Sequence, residues 1–415
     1  MTAMPDLAAI EARDAADPLR HMRDRFVLPQ GVIYLDGNSL GAAPKEAFAE
    51  LDKAAKEEWA QGLIRSWNHA GWFDLALQLG DKVGRLIGAG PGETVVCDTT
   101  STNIYKALQA ALSMRPGRSV IVAEGDSFPT DLYMAEGVAS TRPDVKIRLE
   151  GVDADNIEDL IDDSVAVVLV NHVNYKSGIL RDMAALTAKA HAAGALIVWD
   201  LCHTAGALPV ELNAANADMA VGCTYKYLNG GPGAPAFIYA ARRHHEQIRQ
   251  PLSGWWGHAR PFAFTQGYEP GAGITRFLCG TQPVLSLRAL KGSLDVWDEV
   301  DLNALRKKSI ELTELFIELV EATCGEFGVK LEGTRDPNRR GSQVSFSHEN
   351  AYEIMQALID RGVIGDFRAP NVMRFGFTPL YVGYRDVWEA VATLRDILAT
   401  GAWQDTRFAV RAAVT

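Results

Sequence analysis

Lys226 is the only charged residue in the stretch GCTYKYLNGGPG (residues 222–233), where it stands between Tyr225 and Tyr227 and ahead of a glycine-rich turn. A lysine that leaves a buried apolar strand is desolvated, which lowers its pKa and yields a nucleophilic amine. The same position also suits a loop lysine that points at water. Asp200 closes the apolar run ALIVWD, and His203 follows in VWDLCHTAG. A buried carboxylate needs a cation or donors. A pyridinium nitrogen is one such partner, and a carboxylate beside it keeps the ring protonated and able to accept electrons. A helix N-cap is the alternative use of an aspartate in such a turn.

Two further turns add to this set. DTTSTN (98–103) precedes the helical pattern IYKALQAALSM and brings hydroxyls, Thr100 and Ser101 among them, to a helix N-terminus. Free N–H groups there make a phosphate cradle, although plain capping uses the same residues. SFPTD (127–131) sets Phe128, Thr130 and Asp131 at another strand-to-helix turn; Phe128 serves either as core or as a stacking face for a flat ring. Tyr-Lys recurs as Tyr105-Lys106, inside a helix pattern where solvent exposure of the lysine is expected, and as Tyr175-Lys176 after a strand. Lysine, strand-end aspartate, hydroxyl turn and aromatic plate together describe a pyridoxal phosphate site.

The elements that must position these residues alternate. Helical spacing is expected over Lys45 to Trp59 and Phe73 to Ile87, with LIRSWNHAGWFDL (63–75) as a loop between them. Strands are expected at ETVVC, SVIVAEG, VAVVLVNHV, ALIVWD, MAVGCTYKY and PAFIYAA, with helices at IYKALQAALSM, FPTDLYMAEGVA and DMAALTAKAHAAG between them. Continuous Val/Ile/Leu runs alternating with helices predict a mainly parallel sheet covered on both faces, an α/β fold whose ligands collect at the carboxyl ends of strands. A composition shift near residue 290 begins a smaller α+β unit: a helix around Leu302 to Ala322, the strand SQVSFS, the helix AYEIMQALIDRG, the strand MRFGFTP and a last helix from about Tyr384 to Ala399. The expected organisation is an N-terminal segment (1–45) packed with the small domain, a large cofactor-binding domain (46–289) and a small C-terminal domain (290–415).

Bulk composition excludes several classes. With 415 residues, 47% of them hydrophobic, the chain can bury a large core. A formal net charge of -11 argues against a nucleic-acid partner, whose phosphates need basic residues. The five cysteines are odd in number and show no CxxC or Cys/His metal spacing, so reduced thiols in a cytoplasmic protein and no metal are expected. The opening residues carry acids and no long apolar run, and no segment approaches the ~20 apolar residues that span a bilayer, so neither a signal peptide nor a membrane partner is expected.

YLDGNSLG, LIRSWN, FPTDLY, WDLCHTAG, GCTYKYLNGGPG, QPLSGWWGH, FLCGTQP and RFGFTPLY, in this order over nearly the whole chain, resemble bacterial kynureninases. That resemblance implies a pyridoxal phosphate-dependent transferase-like fold of type I, acting as a homodimer. It also implies hydrolysis of L-kynurenine, and of 3-hydroxykynurenine as a further substrate, to anthranilates and L-alanine in tryptophan degradation. By the same resemblance Lys226 bonds the cofactor and Asp200 contacts its ring nitrogen. His203, Asp131 and Thr130 lie near the ring, and Phe128 stacks on it. Thr100, Ser101 and Tyr225 hold the phosphate, with Trp255 and Thr281 completing the site, and Tyr225 doubles as an acid. Arg374 pairs with the substrate α-carboxylate, while Trp67 and His258 meet its aryl end.

Two rivals share the fold. A cysteine desulfurase or selenocysteine lyase needs a reactive cysteine on a mobile loop, and Cys324, the only cysteine of the second unit, sits at a helix end. A non-catalytic relative has no use for Lys226, Asp200 and Arg374 together.

Overall fold

A computed structural model describes residues 6–411; the outermost residues of the two expected end segments lie outside it. Helices α1 (Leu7–Ala16), α2 (Lys45–Lys53) and α3 (Leu75–Leu86) precede the central sheet. Its seven strands are β1 (Thr94–Val96), β2 (Val120–Glu124), β3 (Lys146–Glu150), β4 (Val165–Asn171), β5 (Leu196–Asp200), β6 (Met219–Gly222) and β7 (Phe237–Ala240), in the spatial order β1-β7-β6-β5-β4-β2-β3. β3, β2, β4, β5 and β6 pair in parallel, while β7 runs antiparallel to β1 and β6. Every residue of β2, β4 and β5 is buried, as a sheet covered on both faces demands of its Val/Ile/Leu runs.

Helices α4 (Thr100–Met114), α5 (Pro129–Thr141) and α6 (Met183–Ala192) connect these strands. α4 starts beneath a Thr99 cap whose hydroxyl accepts the Thr102 N–H at 3.2 Å. α5 takes Pro129 in its first turn, where a missing N–H costs nothing. The sheet therefore aims the N-termini of α4 and α5 and the carboxyl ends of β5 and β6 at one edge.

Helix α7 (Val284–Val296) packs on α2 and carries the chain across residue 290, so the compositional change falls inside a helix. Beyond it, α8 (Leu302–Cys324), α9 (Ala351–Asp360) and α10 (Tyr384–Thr400) accompany an antiparallel sheet of β8 (Lys330–Glu332), β9 (Gln343–Ser347), β10 (Asp366–Arg368) and β11 (Val372–Gly376), ordered β8-β9-β11-β10. Phe316 of α8 packs against Phe346, Phe375 and Phe377 at ring-centroid distances of 6.0, 4.8 and 5.2 Å. The N-terminal segment lies against this second unit. Ile33–Tyr34 pairs in parallel with Val363–Ile364. The Asp14 carboxylate accepts the N–H groups of Tyr384 at 2.8 Å and Arg385 at 2.9 Å, and Asp17 pairs with buried Lys308 at 2.7 Å.

Three local expectations change. Residues 63–69, expected as loop, form a 3-10 turn at Leu63–Arg65 and one helical turn at Ser66–His69. β3 is an edge strand whose sequence KIRLE alternates charge with apolar residues, so it lacks the apolar run that marks its neighbours. Lys106, expected in solvent, is fully buried: its Nζ donates to the Phe277 carbonyl at 2.5 Å and pairs with Asp98. A buried ammonium requires partners of this kind. No helix among the described residues is long and apolar enough to cross a membrane, and no His/Cys/Asp/Glu group among them could hold a metal.

Candidate active site

The loop that follows β6 carries Lys226. Its Nζ lies 2.9 Å from His203 Nε2 and 5.7 and 5.9 Å from the ring centroids of Phe128 and Tyr225. The loop is held by its own backbone, with Asn229 N–H donating to the Lys226 carbonyl at 2.9 Å and Gly230 N–H to the Thr224 carbonyl at 2.8 Å. Gly41 braces it from the N-terminal segment: its N–H donates to the Tyr225 carbonyl at 2.8 Å, and a Cβ there would sit 2.2 Å from the Lys226 carbonyl oxygen. The glycines after Lys226 have a local reason too. Gly231 and Gly233 have φ of +92° and +72°, and at Gly230 a Cβ would meet Leu290 and Thr224.

Beneath Lys226 lie two buried carboxyl groups. Asp200 Oδ1 accepts the Cys202 N–H at 2.6 Å, so this aspartate does cap its turn. Asp131 Oδ2 accepts from Ser127 Oγ at 2.8 Å and from Asn171 Nδ2 at 2.7 Å. Burial holds Asp131 far above the usual carboxylate range, and neighbouring Asp200 raises it further. Burial also raises Asp200, against the pull of the Cys202 N–H and the Lys226 charge. His203 is buried, and burial together with the positive charges of Lys226, Arg374 and Arg368 holds it well below its ordinary pKa, so it is neutral. Its Nδ1 lies 2.8 Å from Gln343 Oε1, and Gln343 Nε2 donates to the carbonyls of Tyr175 at 2.8 Å and Asn174 at 3.2 Å.

Thr100 and Ser101 occupy the first turn of α4, half-exposed, with Thr100 Oγ1 3.7 Å from Cys202 Sγ. Thr130 is half-buried in the first turn of α5. Phe128, T-shaped to Tyr175 at 5.3 Å, is 41% exposed beside the lysine.

Arg374, in the middle of β11, is 1% exposed and no surface-strand arginine. It donates from Nε to Asp366 Oδ1 at 2.8 Å, pairs with the other Asp366 oxygen, and reaches Ser39 Oγ at 2.9 Å and the Tyr175 carbonyl at 2.5 Å. Arg368 also pairs with Asp366, at 2.6 Å. Burial and the Asp366 charge push the nearby Asp36 carboxyl up to about 7. Ser39, Tyr175, Gln343 and Asp366 are partners that sequence reading missed. SQVSFS read as a plain strand, and only an unexplained polar residue at an inward position of it could have pointed to Gln343.

Trp67, Trp255 and His258 form a group of their own. Trp67 lies tilted on Trp256 at 5.1 Å and edge-on to Trp72 at 5.6 Å. Trp255 meets Trp256 at 4.7 Å and Phe262 at 5.8 Å, and is 40% exposed. With Trp255, His258 lines a cavity of about 400 Å³ that also borders Phe264 and Tyr268. Thr281 is exposed.

Residues 305–394 match the kynureninase C-terminal domain family. The chain is 54% identical to the kynureninase of Burkholderia pseudomallei strain 1106a over 97% of its own length and 98% of that protein, and 52% identical to the kynureninase of Pseudomonas fluorescens over the whole of both. The chain belongs to the kynureninase family. Solved structures confirm the fold expected of kynureninases: an apo cysteine desulfurase from Thermococcus onnurineus NA1 superposes with a TM-score of 0.75 at 18% identity, covering 96% of this chain and 100% of that one. A C-DES mutant with glycine covalently linked to its PLP cofactor gives 0.78 at 15% identity, covering 90% and 99%. Pyridoxal phosphate is the kynureninase cofactor, and the donor set fits it. A buried strand-end carboxyl, a partly exposed aromatic ring, an amine and a hydroxyl-bearing helix N-terminus match its ring nitrogen, ring face, aldehyde and phosphate. The cysteine of the second unit is not poised for desulfurase chemistry: Cys324 is wholly buried at the end of α8, and burial raises its thiol pKa.

Proposed function

We propose that the chain hydrolyses L-kynurenine between Cβ and the side-chain carbonyl carbon to give anthranilate and L-alanine, and accepts 3-hydroxykynurenine as well. The observation that carries this reading is the Lys226 amine held 2.9 Å from a neutral histidine above the Asp200–Asp131 pair. Bound pyridoxal phosphate supplies the electron sink that stabilises negative charge at Cα and then at Cβ.

Lys226 would hold the bound cofactor covalently, and its free amine would take the Cα proton of substrate. Asp200 would hold the ring nitrogen, Asp131, His203 and Thr130 would line the ring, and Phe128 would stack on it. Thr100, Ser101 and Tyr225 would hold the phosphate. Arg374 binds the substrate carboxylate as a cation whose guanidinium is fixed by Asp366. After water adds to the carbonyl and anthranilate departs, the Tyr225 hydroxyl, kept protonated by burial, donates to Cβ.

Trp255 and Thr281 complete the site from a second copy, and Trp67 and His258 flank the aryl group. A homodimer is supported by the exposed apolar side chains Phe48, Trp59, Leu63, Ile64 and Leu285. Five free thiols support a reducing cytoplasm. The deciding experiment adds L-kynurenine to the cofactor-loaded protein and follows anthranilate fluorescence; a yellow protein that yields none overturns the reading.

A further inference from the structure

We infer that Gln343 is a positioning residue for Lys226: it holds His203 as the Nδ1–H tautomer, so that the bare Nε2 accepts from the lysine amine. The orientation of the Gln343 amide follows from its surroundings. Its Nε2 lies 2.8 and 3.2 Å from the carbonyl oxygens of Tyr175 and Asn174, which only accept, so the NH₂ group faces them and Oε1 faces His203. An amide oxygen only accepts, so His203 Nδ1, 2.8 Å away, must carry the proton. A neutral imidazole then has its lone pair on Nε2, and Nε2 is the atom 2.9 Å from Lys226 Nζ.

Gln343 is fully buried on β9 and His203 is buried beside it, so the bond between them is screened from water. The charged groups that face His203 are Lys226 from the loop after β6, Arg368 from β10 and Arg374 from β11. All three are cations, and they disfavour a second proton on the ring. Gln343 adds the selection that charge alone does not make, since a neutral histidine with a free choice of tautomer could as well present N–H to the lysine and repel its protons. Its place on β9 ties this selection to the second sheet, far in sequence from both His203 and Lys226.

The role rests on the proposed use of Lys226 as base, but its test stands apart from turnover. In holoenzyme labelled with ¹⁵N-histidine, the His203 signals, assigned by their loss in His203→Gln, are expected to show Nδ1 protonated and Nε2 bare from about pH 6 to about pH 8. A proton on Nε2, or on both nitrogens, overturns the inference whatever the activity. Gln343→Glu places an anion on Nδ1–H and is expected to move the acid limb of the kcat/KM profile, and of the visible absorbance titration, upward by about one pH unit or more. Gln343→Met, which keeps the volume, is expected to lose about 10- to 100-fold in kcat/KM with its melting temperature nearly kept. Profiles and titrations that superpose on the unsubstituted enzyme in both variants overturn it too. Failure of the kynurenine assay with the NMR result intact would sink the proposed reaction and leave the tautomer assignment standing.

Discussion

Lys226 Nζ lies 2.9 Å from His203 Nε2, so the amine is tied to the segment that extends β5 and not to its own loop. This one contact makes the ends of two neighbouring parallel strands a single chemical unit.

Lys226→Ala removes both the bond to the cofactor and the proposed base. Turnover should fall by at least about 10³-fold. Borohydride reduction should add the cofactor mass to the unsubstituted protein and not to the variant, read by intact mass spectrometry. Steady turnover in the variant would remove Lys226 from the mechanism.

Arg374→Lys keeps a charge beside Asp366 and loses the fork. We expect kcat/KM to drop about 10- to 100-fold, carried mostly by KM, because an ammonium cannot keep the contacts to Asp366, Ser39 and the Tyr175 carbonyl and also present its charge to substrate in the same place. Arg374→Ala is less informative: it also takes one of two arginine partners from buried Asp366, which destabilises the fold on its own.

Asp36 gives a pH signature. Folding raises its carboxyl to about 7 from an ordinary value of 3.8, through burial and the charge of Asp366. The folded state therefore binds this proton more tightly than the unfolded chain does. The stability this contributes is complete below about pH 4 and is lost as the pH rises through 7. Asp36→Asn should melt higher than the unsubstituted protein at about pH 8, by roughly 2 °C or more, with the advantage shrinking toward pH 4. Thermal melts of both proteins across that range check the sign.

Tyr227, beside the lysine, donates from its buried hydroxyl to the Ser342 carbonyl at 3.1 Å and packs with Val173, Ala207 and Leu208. Tyr227→Phe should cost about 1 kcal/mol in chemical denaturation and leave kcat unchanged. A large loss of kcat at full stability would assign it a part in the chemistry.

What could be read from sequence follows a physical divide. β2, β4 and β5 are legible because full burial demands uninterrupted apolar runs, and α8 because one face must meet a sheet. Lys226 and Asp200 are legible because each interrupts or ends such a run. Gln343, Asp366 and Ser39 are not, because their meaning lies in partners brought from distant strands and loops, and an uncharged amide inside SQVSFS carries no periodic mark. Lys106 misleads for the same reason: its acceptor, the Phe277 carbonyl, is a backbone atom from a far part of the chain.

The contact between Gly41 and the Lys226 carbonyl bears on how divisible the molecule is. The central sheet might be taken for a portable cofactor-binding module, able to work once everything before α2 is cut away. Yet the back wall of its lysine loop is a turn from the first tenth of the chain, pressed so close that not even a methyl group fits between them. A fragment that begins at α2 would keep every residue the chemistry names and would lose the surface that holds the lysine loop in register.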